Sequence, residues 1–181
     1  MEQLLLRENA LQEEPFDDRR QRLQRLVDQY EPLLLPYAQR LCGGDFQRAQ
    51  DAVQETFLRL CREDLADIDG RISAWLFAVC RTRVIDMHRI HQPDLVSPDQ
   101  VSQSAAADSG PAETAERADE QQRLAAQVSR LPPRQQEVLR LRLHAGLSYR
   151  EIADVTGITV SNVGVQLHQA IRTLRDALAV S

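Results

Sequence analysis

The chain has 181 residues, a formal net charge of −5 and 22 basic residues, every one an arginine. Its 43% apolar content can furnish the cores of one or two small domains, and three cysteines outside any CxxC pair cannot build a disulfide framework. The longest apolar stretch, Ile72 to Cys80, is broken by Ser73 and falls far short of the ~20 residues that span a bilayer. The glutamate-rich start MEQLLLRENALQEE lacks the apolar block of a signal peptide. These features exclude collagen-like, disulfide-rich secreted and membrane-inserted classes and predict a cytoplasmic protein.

Charge is unevenly spread. Residues 1–93 hold 13 arginines against 16 acids, 94–120 one against seven, and 121–181 eight against four. A basic last third thus follows an acidic middle, a separation of roles that the whole-chain value hides. The segment PDLVSPDQVSQSAAADSGPAETAE has no helical or alternating apolar period and reads as a flexible acidic linker over 93–118. It separates a domain over 16–92 from another over 119–181, and residues 1–15 form an unassigned N-terminal extension. The expected fold is all-α: two small helical domains joined by that linker, the second a helix-turn-helix.

The first domain predicts helices over 17–42, 45–62 and 73–91. Pro32 and Pro36 are expected to interrupt the first, Gly43-Gly44 to end it and Asp45 to cap the next. At 100° per residue, Phe46, Ala49, Val53, Phe57 and Leu60 make the core stripe of the second helix. Asp51, Gln54, Glu55 and Arg62 lie opposite with Leu58 in their midst, either an unremarkable exposed leucine or the centre of a protein-docking site. In the third helix Trp75, Leu76, Val79, Cys80, Val84, Met87 and Ile90 form a wide apolar arc. Arg81, Thr82, His88 and Arg89 gather on the other side, a solvated face or a phosphate-holding one. Arg83 and Asp86 have the spacing of an ion pair.

The second domain predicts a helix over 113–130 and another opened by Pro132-Pro133 and running to Ala145. A short helix with a Ser148/Glu151 capping box ends at Gly157, and a last one is capped by Thr159 and ends near Ala179. Val160, Val163, Leu167, Ile171, Leu174 and Leu178 are its expected core stripe. Ser161, Asn162, Val165, Gln169 and Arg172 remain for a reading face or a plain polar one. The cysteines read as buried and inert. No metal, cofactor or catalytic constellation is expected, so the chain is not expected to be an enzyme.

DAVQETFLRLCR at 51–62 followed by ISAWLFAVCRTRVIDMHR at 72–89 resembles region 2 of bacterial sigma factors of the extracytoplasmic-function (ECF) group. LPPRQQEVLRLRLHAGLSYREIADVTGITVSNVGVQLHQAIRTLRDAL at 131–178 resembles their region 4. The resemblance implies a transcription initiation factor whose partners are core RNA polymerase, promoter DNA and an inhibitory anti-sigma factor. Asp51, Gln54, Glu55, Leu58 and Arg62 would dock on the beta-prime clamp helices. Asp67 and Arg71, within the loop Asp64 to Arg71 that captures a flipped base, would meet the minus-ten element with Arg81, His88 and Arg89. The last helix would read the minus-thirty-five element through Ser161, Asn162, Val165, Gln166, Gln169 and Arg172, while Arg134 and Arg150 hold phosphates. Gly164, Gln166 and Gln169 stand where many family members carry basic residues, which implies fewer phosphate contacts and a shallower salt dependence. The rival expectations are a stand-alone helix-turn-helix regulator and a sigma-like protein that titrates an anti-sigma factor.

Overall fold

The structure is a computed structural model that describes the backbone of residues 2–91 and 115–179 and the side chains of 18–89 and 122–179. Helices and turns, with no strand, make up the described residues, as the sequence predicts. The helices are α1 (Glu2–Leu41), α2 (Phe46–Leu60), α3 (Ile72–His91), α4 (Ala115–Ser129), α5 (Pro133–Leu143), α6 (Tyr149–Thr156) and α7 (Val160–Ala179). Most of the expected linker, 92–114, lies outside the described residues. The chain forms two compact units, one reaching to Pro32 and the other Leu33–Ser181; the second contains every candidate site residue.

Helix α1 departs from expectation twice. Its 40 residues include the unassigned N-terminal stretch, and neither Pro32 nor Pro36 interrupts it. A helical proline removes one backbone hydrogen bond and costs about 3 kcal/mol. Past Pro36, however, Tyr37, Ala38 and Leu41 are buried on one face together with Leu34 just before it, and ending the helix there would expose all four. Burying a single leucine is worth about 2 kcal/mol, so the face outweighs the proline.

Asp45 caps α2 by accepting from the Arg48 amide at 3.0 Å. The core side of α2 is Ala49, Ala52, Val53, Thr56 and Leu60. Phe46, expected in that stripe, is 51% exposed. The buried face is centred on Ala49, Ala52, Thr56 and Leu60, all fully buried, and Phe46 lies at its margin. Leu58 lies opposite and is exposed, as predicted.

Between α2 and α3 the acidic loop is tied down by its own turns. The Asp64 carboxylate accepts from the Ala66 amide at 2.9 Å, Asp67 N–H donates to the Asp64 carbonyl at 3.0 Å, and Arg71 N–H donates to Ile68 at 3.1 Å. Leu65 and Ile68 are buried beneath it, while Asp64, Asp67 and Asp69 face solvent.

Helix α5 starts at Pro133, where a missing N–H costs nothing, and ends at Leu143, two residues earlier than expected. The Ser148/Glu151 capping box forms with bonds of 3.3 and 2.7 Å, and Gly157 closes α6 in the left-handed conformation at φ 73°. Thr159 caps α7 through a 3.2 Å bond from the Asn162 amide. The buried face of α7 is Val163, Leu167 and Ala170. Val163 and Leu167 are buried as expected, whereas Val160, Ile171 and Leu178, also expected in the stripe, are each 46–47% exposed at the margin of that face. Helices α5, α6 and α7 pack on one another, and α3 packs against both α2 and α6.

All three cysteines carry thiols; Cys42 and Cys80 are buried and Cys61 is exposed. Burial pushes the Cys80 thiol up to about 12 and the Cys42 thiol up to about 11. The Tyr37 phenol is likewise raised, by burial first and then by the nearby Glu137 carboxylate. No described helix is long and apolar enough to cross a membrane.

Two outcomes are expected. A Cβ on Gly164 would meet Tyr149 Cε2 at 3.8 Å, an ordinary contact, so Gly164→Ala should stabilise the fold by about 0.5–1 kcal/mol in urea denaturation. Thiols of the unfolded chain ionise near 9 while Cys80 stays protonated in the fold to about 12. The unfolded state therefore binds fewer protons in that window, and stability should be flat below it and fall as pH rises through it. Denaturation midpoints against pH should show this fall, reduced in Cys80→Ala.

Candidate nucleic-acid and partner interfaces

Three groups of expected site residues lie in three different places. On the outer face of α2, Asp51, Gln54 and Leu58 are exposed, Leu58 at 54%, and Glu55 is half-buried. Glu55 accepts from Arg59 Nε at 3.3 Å, which holds its carboxylate along the helix, and Arg62 projects just beyond the last turn. The result is an apolar knob among charges of both signs, Asp51 and Glu55 with Arg59 and Arg62, a surface suited to a partner with an apolar pocket and a charged rim.

Around α3 the expected residues separate. Asp67 and Arg71 stay together on the exposed loop, where Arg71 Nη2 donates to the Asp67 carbonyl at 3.4 Å. Arg89 is exposed. His88 is half-buried, with Nε2 3.1 Å from the Leu41 carbonyl; a carbonyl only accepts, so Nε2 carries the proton. Arg81 does not face solvent with them. Its Nε donates to Glu137 Oε1 at 2.9 Å, and the two side chains are 15% and 12% exposed. Tyr37 Oη donates to the same oxygen at 2.9 Å, and its ring meets Phe77 edge-on with centroids 5.0 Å apart. Ser73 Oγ adds a 3.4 Å bond to the Ala145 carbonyl. Arg83 Nε is buried without a hydrogen-bond partner, and the ion pair with Asp86 that the spacing allows is absent from the ion pairs of the described residues.

On α7, Ser161, Val165, Gln169 and Arg172 are exposed, and Asn162 and Gln166 half-buried. Gln166 Nε2 donates to Asn162 Oδ1 at 3.1 Å, and Gln135 Nε2 on α5 donates to Gln169 Oε1 at 3.2 Å. Both reading-face amides are thereby oriented with their NH₂ groups still able to donate, the hydrogen-bond pattern that suits acceptors on base edges. Arg172 is 77% exposed and lies 4.0 Å from Asp176. Arg150 is exposed at the start of α6 and Arg134 half-buried at the start of α5. The Arg142 guanidinium lies 5.7 Å from the centre of the Tyr149 ring. Among the described residues no three metal-ligating side chains converge.

Sequence reasoning missed Tyr37, Gln135 and Glu137. Tyr37 and Glu137 are 100 residues apart, a contact without local signal. Gln135 had a weak one, as a polar residue between the apolar positions of α5.

A family model for Sigma-70 region 2 matches residues 26–93, and one for Sigma-70, region 4 matches 121–174. The chain is 31% identical over 156 residues to the ECF RNA polymerase sigma factor SigL of Mycobacterium tuberculosis, covering 84% of this chain and 86% of that protein. It is 27% identical over 169 residues to SigD of the same organism, covering 90% and 79%. Among solved structures, the sigma factor RpoE in complex with the anti-sigma factor NepR from Bartonella quintana matches with TM-score 0.63 and 18% identity, over 87% of this chain and 97% of that one. CnrH in complex with the cytosolic domain of CnrY matches with TM-score 0.55 and 24% identity, over 90% of each. Those two likenesses speak to the fold. The matched regions and the relationship to SigL establish the family: the chain belongs to the ECF group of sigma-70 RNA polymerase sigma factors.

Proposed function

We propose that this sigma factor binds core RNA polymerase through the outer face of α2 and directs it to promoters by reading two DNA elements. Its domains in this reading are 16–92 and 119–181, preceded by an extension over 1–15 and joined by the linker over 93–118. The observation that carries the docking step is Leu58, exposed where Asp51, Gln54 and Glu55 flank it. A leucine left in water gains by entering a partner's pocket, and the charges of both signs around it favour a rim of complementary charges. Asp51, Gln54, Glu55, Leu58 and Arg62 thus form the surface for the beta-prime clamp helices.

At the minus-ten element, the loop bearing Asp67 and Arg71 captures a flipped base. Its exposed carboxylates repel backbone phosphates, so the loop contributes a base pocket, while Arg89 supplies charge to the melted strand. At the minus-thirty-five element, α7 enters the major groove. There Asn162 and Gln169 donate to base edges, Val165 touches a thymine methyl, and Arg134, Arg150 and Arg172 hold phosphates. The polymerase supplies the catalysis; this chain supplies position. The structurally similar sigma factor RpoE was solved bound to the anti-sigma factor NepR, and CnrH was solved with the cytosolic domain of CnrY, which supports an inhibitory anti-sigma partner acting in the cytoplasm.

Gel filtration of the full chain with core polymerase should give a co-eluting complex. Glu55→Ala/Leu58→Ala should abolish co-elution while changing folding stability by no more than about 0.5 kcal/mol, since both side chains lie on the surface. Retention of the complex by that variant would remove the α2 face from the interface. A wild-type chain that ignores polymerase yet binds duplex DNA would favour the stand-alone regulator.

A further inference from the structure

Gln135 lies on the buried side of α5 and is 9% exposed, as buried as the apolar Leu131, Val138 and Leu139 near it in the sequence. Its Nε2 donates to Gln169 Oε1 on α7 at 3.2 Å, while its own Oε1 is buried without a hydrogen-bond partner. A methionine of similar length would fill that space and leave no polar atom unpaired. We infer that Gln135 is a positioning residue for base recognition: it fixes the polarity of the Gln169 amide, so that α7 presents a donor there and takes a base edge bearing an acceptor. This rests on the proposed reading of α7 in the major groove and adds to it the chemical class of base that Gln169 meets.

The polarity follows from what each end of an amide can do, since its oxygen only accepts and its nitrogen only donates. With Gln135 Nε2 directed at α7, Gln169 keeps its oxygen inward and its NH₂ free to point outward. Were Gln169 alone to turn over, two NH₂ groups would face each other and the bond would be lost. Gln135 could follow only by burying its NH₂ in place of its oxygen. That would orphan two N–H donors, a rarer state in proteins than an under-satisfied carbonyl oxygen, so the concerted turn is resisted. The Asn162–Gln166 bond lies within α7 itself, whereas this one ties the reading helix to a buried residue of another helix. In the major groove guanine N7 and O6, adenine N7 and thymine O4 accept, while cytosine presents its N4 amino group. Gln169 held in this polarity therefore admits the first three bases and rejects cytosine.

The test sequences the duplexes that the full-length chain, with core polymerase and alone, retains from a library of randomised DNA. The base pair that Gln169 reads is the one whose preference Gln169→Ala flattens, and wild type should disfavour cytosine there about tenfold. Gln135→Met frees the Gln169 amide to turn and should cut that factor to about twofold, at that pair alone. Urea denaturation should show it no less stable than wild type. In the Gln169→Ala background the same substitution should change nothing further. The carboxylate of Gln135→Glu can only accept, so it should turn the Gln169 amide over and move the preference toward cytosine. A role in packing alone would weaken all sequences equally. Uniform weakening by Gln135→Met, an unchanged cytosine factor in both Gln135 variants, or an effect that persists without Gln169 overturns the inference. So does a wild-type chain that enriches no sequence in either selection, or a Gln169→Ala that flattens no position. A wild-type chain that fails to co-elute with polymerase, yet alone selects a pair that depends on Gln135, rejects the sigma reading and leaves the inference standing. Co-elution without any Gln135 effect does the reverse.

Discussion

Helix α3 is held from two sides, by α2 and by α6, and the arrangement of the Leu33–Ser181 unit follows from that. Its Leu76, Phe77, Cys80, Val84 and Met87 are all buried, an apolar arc wider than one neighbouring helix can cover. Once α2 and the end of α1 have taken their share, the remainder needs a second cover, which α6 provides. Arg81 and Glu137 then meet at the edge of that second contact, where water is already excluded.

The Arg81–Glu137 pair contributes less to stability than its short distance suggests. A buried ion pair gains Coulomb energy and loses hydration in nearly equal measure, so its net contribution to stability is small. Substituting one partner alone is the costly change, because the other charge then stays in a site that largely excludes water. The phenol of Tyr37 adds a second donor to the same carboxylate oxygen, its ring set edge-on against Phe77.

Much of this was legible in the residues. Asp45, Ser148 with Glu151, Gly157 and Thr159 set helix boundaries through local chemistry, and local chemistry is what a sequence displays. The stripes of α2 and α7 were right at their middles and too wide at their margins. Ala49, Val53 and Leu60 in α2 and Val163 and Leu167 in α7 are buried as expected, while Phe46, Val160, Ile171 and Leu178 are exposed and Ala52, Thr56 and Ala170 complete the buried faces. Hydrophobicity draws the large residues into a stripe, but the width of the covered face is set by the neighbouring helices, which the local period does not show. The prolines of α1 misled differently, because their local cost is visible in sequence while the tertiary burial that offsets it is not. The docking face of α2 needed only the period of its own helix and was legible. The Tyr37–Arg81–Glu137 cluster joins three distant segments, and no local pattern could have announced it.

The reading face of α7 carries its own constraint. Gln135 is buried, spends its amide nitrogen on Gln169 and leaves its Oε1 without a partner. A buried unpaired acceptor costs about 1–3 kcal/mol, more than one neutral hydrogen bond to a half-solvated partner returns. Stability alone would favour an apolar residue at 135. The glutamine is intelligible if orienting the Gln169 amide matters more than the packing of α5. That fits a helix with few charges: where phosphate attraction is weak, discrimination must come from amides held at fixed angles. Gly164, which no close approach requires, weakens the same helix, so its preorganisation rests on side-chain partners such as Gln135 and the Asn162–Gln166 bond rather than on backbone propensity.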